Sequence, residues 1–140
     1  MKTTILFTGG GTAGHIFPGL AVAQELQKET DADIYWIGSK KGMEKPFVEK
    51  SGIPFISIPA GKMRRYFSLQ NFFDIFKILA GVVKGFAVCG KYQPQLVFSK
   101  GGYVSVPLVF AAGRRGIPVI THESDTDPGL ATRLNARYAV

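Results

Sequence analysis

Residues 4–19 read TILFTGGGTAGHIFPG, an apolar segment that passes directly into glycines and then into a proline. Thr4 to Thr8 has the length and composition of a buried strand. Pro18 suits the first turn of a helix, where a backbone N–H has no partner inside the helix. The stretch therefore predicts a strand, a tight glycine loop and a helix, in that order.

Strand-like and helix-like segments alternate along the rest of the chain. The predicted strands are Thr4–Thr8, 34–37, 55–58, 95–99 and 118–121, with 139–140 as the start of a sixth. The predicted helices are 18–28, 43–50, 68–92 (interrupted by Gly81 and Gly85), 104–115 and 128–137. This alternation predicts an α/β fold, a Rossmann-like parallel sheet with helices on both faces. Because the sequence stops in an incoming strand, we expect a fragment or a chain that a partner completes.

Composition restricts the classes of function. The net charge of +7 favours an anionic partner. Cys89 is the only cysteine, which excludes an internal disulfide and a zinc site built on cysteine pairs. The sequence has neither the apolar core of a signal peptide nor an apolar segment long enough for a transmembrane helix. We expect no metal and no resident cofactor.

The first glycine loop has the pattern G-x-G-x-x-G through Gly9, Gly11 and Gly14. Such a loop, placed between a strand and a helix, is typical of sites for phosphates and dinucleotides. A nicotinamide site also needs an acidic residue at the end of the second strand, but residues 38–41 read GSKK. Two lysines there would suit a 2′-phosphate, so an NADP-binding oxidoreductase module remains an alternative.

Two further segments lie at the same predicted edge of the sheet. His15 follows the first loop, where it is either a general base or a residue that caps the turn, and we favour the base. Gly101 and Gly102 follow the fourth strand, so the two loops together could hold a diphosphate. Tyr103 and Ser105 add hydroxyl groups to the second loop.

Residues 122–125 read HESD and follow the fifth strand. Glu123 and Asp125 have structural and ligand-binding interpretations that the sequence does not separate. Asp127 is better explained as the N-cap of the last predicted helix, with Pro128 in its first turn.

Residues 62–92 are both aromatic and basic. These residues include more apolar side chains than one core-facing side of a helix can bury, although core packing accounts for some of them. The combination favours a segment that inserts apolar side chains among lipid headgroups while its cations meet anionic lipid. Nucleic acid is a weaker candidate, because the aromatic residues are packed together instead of forming separate stacking platforms. The residues expected at the membrane are Arg64, Arg65, Phe72, Phe73, Phe76 and Leu79.

Several of these segments together resemble one known family. Residues 9–21, GGGTAGHIFPGLA, closely resemble the start of the MurG family of peptidoglycan synthesis. The segments GGYVS at 101–105, GIPV at 116–119 and HE at 122–123 are similar to that family as well. Their order and spacing agree along all 140 residues, which makes the combination far more specific than any one motif.

The resemblance implies a GT-B glycosyltransferase, of which residues 1–140 would form the N-terminal, acceptor-binding domain. Such an enzyme transfers N-acetylglucosamine, with inversion, from UDP-N-acetylglucosamine to undecaprenyl-pyrophosphoryl-MurNAc-pentapeptide. It would work as a peripheral protein on the anionic cytoplasmic face of the cell membrane, with no nucleic acid as partner. We expect the C-terminal domain that binds the UDP-sugar to be absent from this chain, and therefore little turnover unless a separate chain supplies it. A noncatalytic subunit that recruits a split glycosyltransferase to the membrane is a further alternative.

Carried onto this sequence, the resemblance implies that His15 is the general base. Three positions depart from the family pattern: Ala13 and Val106 replace glycines, and Asp125 stands where many members have asparagine. A carboxylate accepts hydrogen bonds from hydroxyls but cannot donate as an amide does. The residues implied to contact substrates are Gly10, Gly11, Thr12, Ala13, Gly14, Gly101, Gly102, Tyr103, Ser105, Glu123 and Asp125.

Overall fold

The structure is a computed structural model that describes residues 2–61, 69–124 and 129–140. Its strands are β1 (Thr4–Thr8), β2 (Asp33–Gly38), β3 (Phe55–Ser57), β4 (Leu96–Ser99) and β5 (Val119–Thr121). Its helices are α1 (Phe17–Glu29), α2 (Glu44–Lys50), α3 (Leu69–Tyr92), α4 (Val106–Arg114) and α5 (Leu130–Asn135). All strand pairs are parallel, and the strand order is β3-β2-β1-β4-β5. The predicted α/β fold is confirmed.

The central strand β1 is buried on both faces of the sheet, which explains its unbroken apolar run from Ile5 to Phe7. Leu6 of β1 faces a core that includes Val88 of α3 and Leu108 of α4. Its neighbours Ile5 and Phe7 face the opposite core, with residues of α1 and α2. Successive residues of a strand point to opposite faces of the sheet. When both faces are covered, every residue is buried, so apolar residues do not alternate with polar ones.

The strand order reverses between β1 and β4. From β1 the chain proceeds to β2 and β3 on one side, and it returns through α3 to β4 on the other. In open parallel sheets, ligands bind at such a switch point, beyond the carboxyl ends of the two strands. The two glycine loops follow β1 and β4, so both lie at that point, as predicted.

The expected interruption of the long helix is wrong. Helix α3 is continuous, and Gly81 and Gly85 lie on its buried side. A Cβ added to Gly85 would lie 3.1 Å from the backbone oxygen of Pro107, and one added to Gly81 would collide with the backbone oxygen of Pro59. These glycines therefore allow close packing of α3 against its neighbours. The predicted start at Ser68 lies outside the described residues.

The other bounds agree with the predictions to within two residues, with two differences in kind. A 3₁₀ turn, Tyr103–Ser105, precedes α4, where the sequence predicted helix from Val104 onward. Residues 139–140 are not a strand, although the backbone N–H of Val140 donates to the oxygen of Val119 at 2.9 Å. Among the described helices, none has the length and apolar character needed to cross a bilayer.

Candidate functional site

The two glycine loops touch each other beyond the ends of β1 and β4. Gly102 has a φ of +81°, and a Cβ at this position would overlap the backbone oxygen of Gly10. Gly11 has a φ of +91°, and its Cα faces the ring of Tyr103, with an added Cβ 3.0 Å from the Cε1 atom. Each loop therefore depends on glycine where it contacts the other loop.

Two buried side chains from β2 and α2 hold the first loop from below. The indole Nε1 of Trp36 donates to the oxygen of Gly9 at 3.2 Å. Glu44 is fully buried, and its carboxylate lies so close to Gly10 that a Cβ there would be 2.7 Å from Cδ. Its Oε1 accepts hydrogen bonds from the backbone N–H of Ser39 at 2.7 Å and from the Ser39 hydroxyl at 2.8 Å. The backbone of the first loop is thus fixed by the fold before any ligand binds.

His15 lies at the end of a 3₁₀ turn that continues the first loop. Its Nδ1 is 3.2 Å from the oxygen of Gly10 and 3.0 Å from the hydroxyl of Thr12. Because a carbonyl can only accept, we assign the proton to Nδ1. Nε2 then carries the free lone pair and has no hydrogen-bond partner among the described residues. This is the tautomer that a general base requires.

A buried polar network attaches the second loop to α5. The amide nitrogen Nδ2 of Asn135 donates to the hydroxyl oxygen of Ser105 at 2.8 Å and lies 3.3 Å from that of Ser99. Ser105 donates its own proton to the oxygen of Gly102 at 2.7 Å. The hydroxyl of Ser99 accepts from the backbone N–H of Gly101 at 3.2 Å. Ser105 therefore shapes the loop from beneath, and its direct contact with a substrate stays a prediction.

Helix α5 also holds Glu123 through a hydrogen bond. Its Oε2 accepts from the hydroxyl of Thr132 at 2.7 Å, and its Oε1 accepts from the backbone N–H of Ser124 at 2.9 Å. Thr132 also lies against Gly101, where an added Cβ would be 2.9 Å from its hydroxyl oxygen. Helix α5 thus holds both the second loop and the segment after β5.

Between the loops and α5 lies a cavity of about 390 Å³, which we term the loop cavity. The cavity is lined by seven of the predicted site residues: Gly10, Gly11, Thr12, His15, Gly102, Tyr103 and Glu123. Ala13 and Gly14 are exposed on the adjoining turn, and Gly101 is buried beneath the second loop. Asp125 and the proposed cap Asp127 lie outside the described residues. The sequence did not predict the contribution of α5, which adds Leu130, Ala131 and Thr132.

Lys100 places a cation at the base of the second loop. Its side chain is almost fully buried, with 1% exposed, and its Nζ donates to the hydroxyl of Ser124 at 2.5 Å. A buried amine close to two loops rich in backbone N–H groups favours an anionic ligand. The sequence showed this lysine only as part of the loop, because its burial depends on the packed fold.

Tyr103 separates the loop cavity from a larger one of about 890 Å³. Burial raises the pKa of its phenol, and the carboxylates of Glu44 and Asp74 add to the shift. The phenol therefore stays protonated, and able to donate a hydrogen bond, to a higher pH than a free tyrosine.

The outward side of α3 carries the predicted membrane residues of the described chain. Phe72, Phe73, Phe76 and Leu79 are each 57–63% exposed, and Phe72 makes edge-to-face contacts with both other rings. The same side also presents Leu69, Ile75 and Val83, which are 77%, 54% and 71% exposed. Arg64 and Arg65 lie outside the described residues. A continuous exposed apolar surface of this kind marks an interaction site.

No cluster of three or more His, Cys, Asp or Glu side chains that could hold a metal ion occurs in the ranges that the structure describes. The groups of the loop cavity able to hold an anion are the loop backbones and the hydroxyls of Thr12 and Tyr103.

Comparison with known proteins agrees with this geometry. The chain is 55% identical to the UDP-N-acetylglucosamine--N-acetylmuramyl-(pentapeptide) pyrophosphoryl-undecaprenol N-acetylglucosamine transferase of Treponema denticola, over 96% of this chain and 37% of the relative. It is 49% identical to the protein of the same name from Borreliella afzelii, over 99% of this chain and 39% of the relative. The chain thus spans somewhat more than a third of the length of these relatives.

Solved structures show the same relationship. The crystal structure of Acinetobacter baumannii MurG superposes with a TM-score of 0.82 at 30% identity, over 98% of this chain and 39% of that one. UDP-GlcNAc 2-epimerase from Neisseria meningitidis, bound to UDP-GlcNAc, has a TM-score of 0.64 at 18% identity over 99% of this chain and 39% of that one, and shares the fold alone.

Residues 5–140 match the family described as the glycosyltransferase family 28 N-terminal domain. This match covers nearly the whole chain, and it agrees with the paired glycine loops at the switch point. The chain therefore belongs to the glycosyltransferase family 28 N-terminal domains, and its sequence and fold are those of a MurG N-terminal domain.

Proposed function

We propose that this chain is the acceptor-binding, membrane-docking half of an enzyme that transfers N-acetylglucosamine from UDP-N-acetylglucosamine to a pyrophosphoryl-undecaprenol-linked acceptor. The observation that carries the proposal is the position of His15. Its Nδ1 is held by the Gly10 oxygen, and the ring lines the cavity where the two glycine loops meet. This position supports His15 as the base and the two glycine loops beside it as the diphosphate site.

The chemistry proposed for His15 is proton removal. As Nε2 takes the proton of the acceptor's 4-hydroxyl, the hydroxyl oxygen forms a bond to the anomeric carbon of N-acetylglucosamine. The bond from that carbon to the UDP oxygen breaks, and UDP leaves with the electron pair. Backbone N–H groups of the loops would hold the acceptor diphosphate during this step, with the buried Lys100 amine adding favourable charge from behind the second loop. Most of the UDP-sugar would be bound by a C-terminal domain, in the same polypeptide or in a separate one.

We further propose that α3 docks on the cytoplasmic face of the membrane as a peripheral element. Four exposed apolar side chains of one helix, Phe72, Phe73, Phe76 and Leu79, support this. Basic residues of the 62–92 segment outside the larger cavity would interact with anionic lipid headgroups, each contributing on the order of 1 kcal/mol. Replacing both Phe72 and Phe76 by Asp should weaken binding to phosphatidylglycerol vesicles about tenfold or more in a sedimentation assay. The control, Val22→Asp, changes an exposed apolar residue of α1 and should leave vesicle binding unchanged.

Calorimetric titration of the chain tests the main proposal with three ligands: a soluble analogue of the lipid-linked acceptor, UDP-N-acetylglucosamine and NADP⁺. We expect the acceptor analogue to bind and UDP-N-acetylglucosamine to bind weakly, because most of its site would belong to a C-terminal domain outside these 140 residues. Binding of NADP⁺ alone would show that the first loop is a dinucleotide site and would overturn the proposal.

A further inference from the structure

The larger cavity, which we term the α3 cavity, lies between α3 and the segments that follow β2 and β3. Its volume of about 890 Å³ is in the range of small-molecule sites, roughly 300–1,000 Å³. The described apolar residues of its wall are Ile58, Pro59, Ala60, Ala80, Val83 and Ala87.

The charged residues that line the α3 cavity are all basic within the ranges 2–61, 69–124 and 129–140. Lys40 and Lys41 approach from the loop after β2, and Lys77 and Lys84 approach from α3, with no carboxylate among the described lining residues. Among the described residues, Lys77 alone of these four lysines forms an ion pair, with its Nζ 3.9 Å from the carboxylate of the buried Asp74. An apolar wall beside several lysines is suited to a ligand with a hydrocarbon part and a phosphate part.

The α3 cavity connects the two regions already described. Tyr103 lines both this cavity and the loop cavity. Val83, 71% exposed, also lines the α3 cavity and belongs to the same outward apolar side of α3 as Phe76 and Leu79. A ligand in the α3 cavity would therefore extend from the diphosphate site toward the surface proposed to meet lipid.

We propose that the α3 cavity binds the isoprenoid end of the lipid-linked acceptor. The phosphate nearer the lipid lies against Lys77 and Lys84, and the first isoprene units lie against Ala80, Val83 and Ala87. This inference rests on the proposed function, and it adds that the protein itself recognises the lipid carrier. The bilayer then holds only the distal part of the chain.

Binding of two soluble probes to the 140-residue chain tests the inference: inorganic pyrophosphate and farnesyl diphosphate. Both carry a diphosphate, but only the second carries isoprene units. We expect farnesyl diphosphate to bind at least about tenfold tighter, because it also removes apolar surface from water. Equal affinities would overturn the inference.

Two substitutions locate the difference. Ala80→Trp fills the α3 cavity from an exposed helical position, so it should reduce the advantage of farnesyl diphosphate to less than about threefold and spare pyrophosphate binding. Its control, Ala21→Trp, lies at an exposed position of α1. The double substitution Lys77→Gln and Lys84→Gln should weaken farnesyl diphosphate more than Lys91→Gln does, since Lys91 is on the same helix but outside the cavity wall.

A third arm uses phosphatidylglycerol vesicles, which offer the same phosphate and hydrocarbon chemistry from the bilayer. If Ala80→Trp weakened vesicle binding and left farnesyl diphosphate binding unchanged, the cavity would hold a phospholipid and the inference would be wrong. If pyrophosphate and the acceptor analogue bound without any gain from isoprene units, the inference alone would fail. If none of these diphosphates bound, the proposed function would fail with it.

Discussion

The side-chain amide of Asn135 lies 2.8 Å from the hydroxyl of Ser105, and this bond joins α5 to the second glycine loop. Both residues are almost fully buried, with exposed fractions of 1% and 0%. The Ser105 hydroxyl in turn donates a hydrogen bond to the oxygen of Gly102, the residue that contacts the first loop. The conformation of the second loop therefore depends on a helix about 30 residues further along the chain.

Asn135→Leu should destabilise the protein and loosen this loop. The substitution leaves the Ser105 hydroxyl without its buried donor, which costs about 1–3 kcal/mol in the free energy of unfolding. Urea unfolding measures that loss, and titration with inorganic pyrophosphate should show a weaker complex at temperatures where the protein remains folded. The control Ala136→Ser changes an exposed neighbour and should alter neither. Unchanged pyrophosphate affinity in folded Asn135→Leu would show that α5 does not position the loop.

Gly11→Ala and Gly14→Ala should differ sharply although both positions belong to the G-x-G-x-x-G pattern. Gly11 has a φ of +91° and faces the ring of Tyr103, whereas an added Cβ at Gly14 would have its nearest neighbour 3.8 Å away. We expect Gly11→Ala to lower the free energy of unfolding by about 1–3 kcal/mol. Gly14→Ala should be neutral or stabilise by less than about 1 kcal/mol. Equal losses in thermal or urea unfolding would contradict this account of the loop.

His15→Asn should lower turnover far more than it lowers acceptor binding. The amide nitrogen of asparagine stands where Nδ1 does and can donate to the Gly10 oxygen, but it is not basic, so loss of general base catalysis should reduce kcat by about 10²–10⁴-fold. The measurement needs a complete enzyme, made by joining this chain to the C-terminal part of the Treponema denticola relative. Steady-state kinetics should then show a small change in KM for the acceptor. Normal kcat with a greatly raised KM would assign His15 to binding instead.

Stability should fall at alkaline pH through the buried thiol of Cys89 and the half-buried phenol of Tyr103. Burial raises the pKa of the Cys89 thiol above 9.0, with an opposing contribution from Arg115, and burial together with Glu44 and Asp74 raises that of Tyr103 above 10.0. A raised pKa means that the folded state holds the proton more tightly, so the contribution is complete below the ordinary pKa and is lost as pH rises through the folded value. Urea unfolding from pH 8 to 11 should show this decline, and it should be shallower in Cys89→Ala above pH 9 and in Tyr103→Phe above pH 10. A decline of equal steepness in both variants would assign it to other groups.

The features that could be predicted from the sequence are those that depend on residues close together in the chain. Glycines that directly follow an apolar strand and precede a proline at a helix start depend on neighbouring residues only, so the first loop, α1 and the edge of the sheet were all predictable. The position of His15 beside the loop followed from the same stretch.

The remaining parts of the site depend on contacts between distant segments. Glu44 resembles an ordinary acidic residue in the first turn of a helix, and only the fold shows it buried against Gly10. Lys100 and Asn135 likewise become site residues through burial, which no pattern of spacing reveals. Gly81 suggested a break in a helix because the sequence does not show that the backbone of Pro59 packs there.

The backbone oxygen of Gly10 lies against Gly102 and 3.2 Å from the Nδ1 of His15. This one atom therefore both orients the His15 ring and forms the contact between the two loops. Substitutions at positions 15 and 102 should therefore be epistatic, with a joint effect that differs from the sum of the single effects. For protein engineering, these positions form one unit with Gly10, and a library that varies them one at a time would miss the combinations that restore activity.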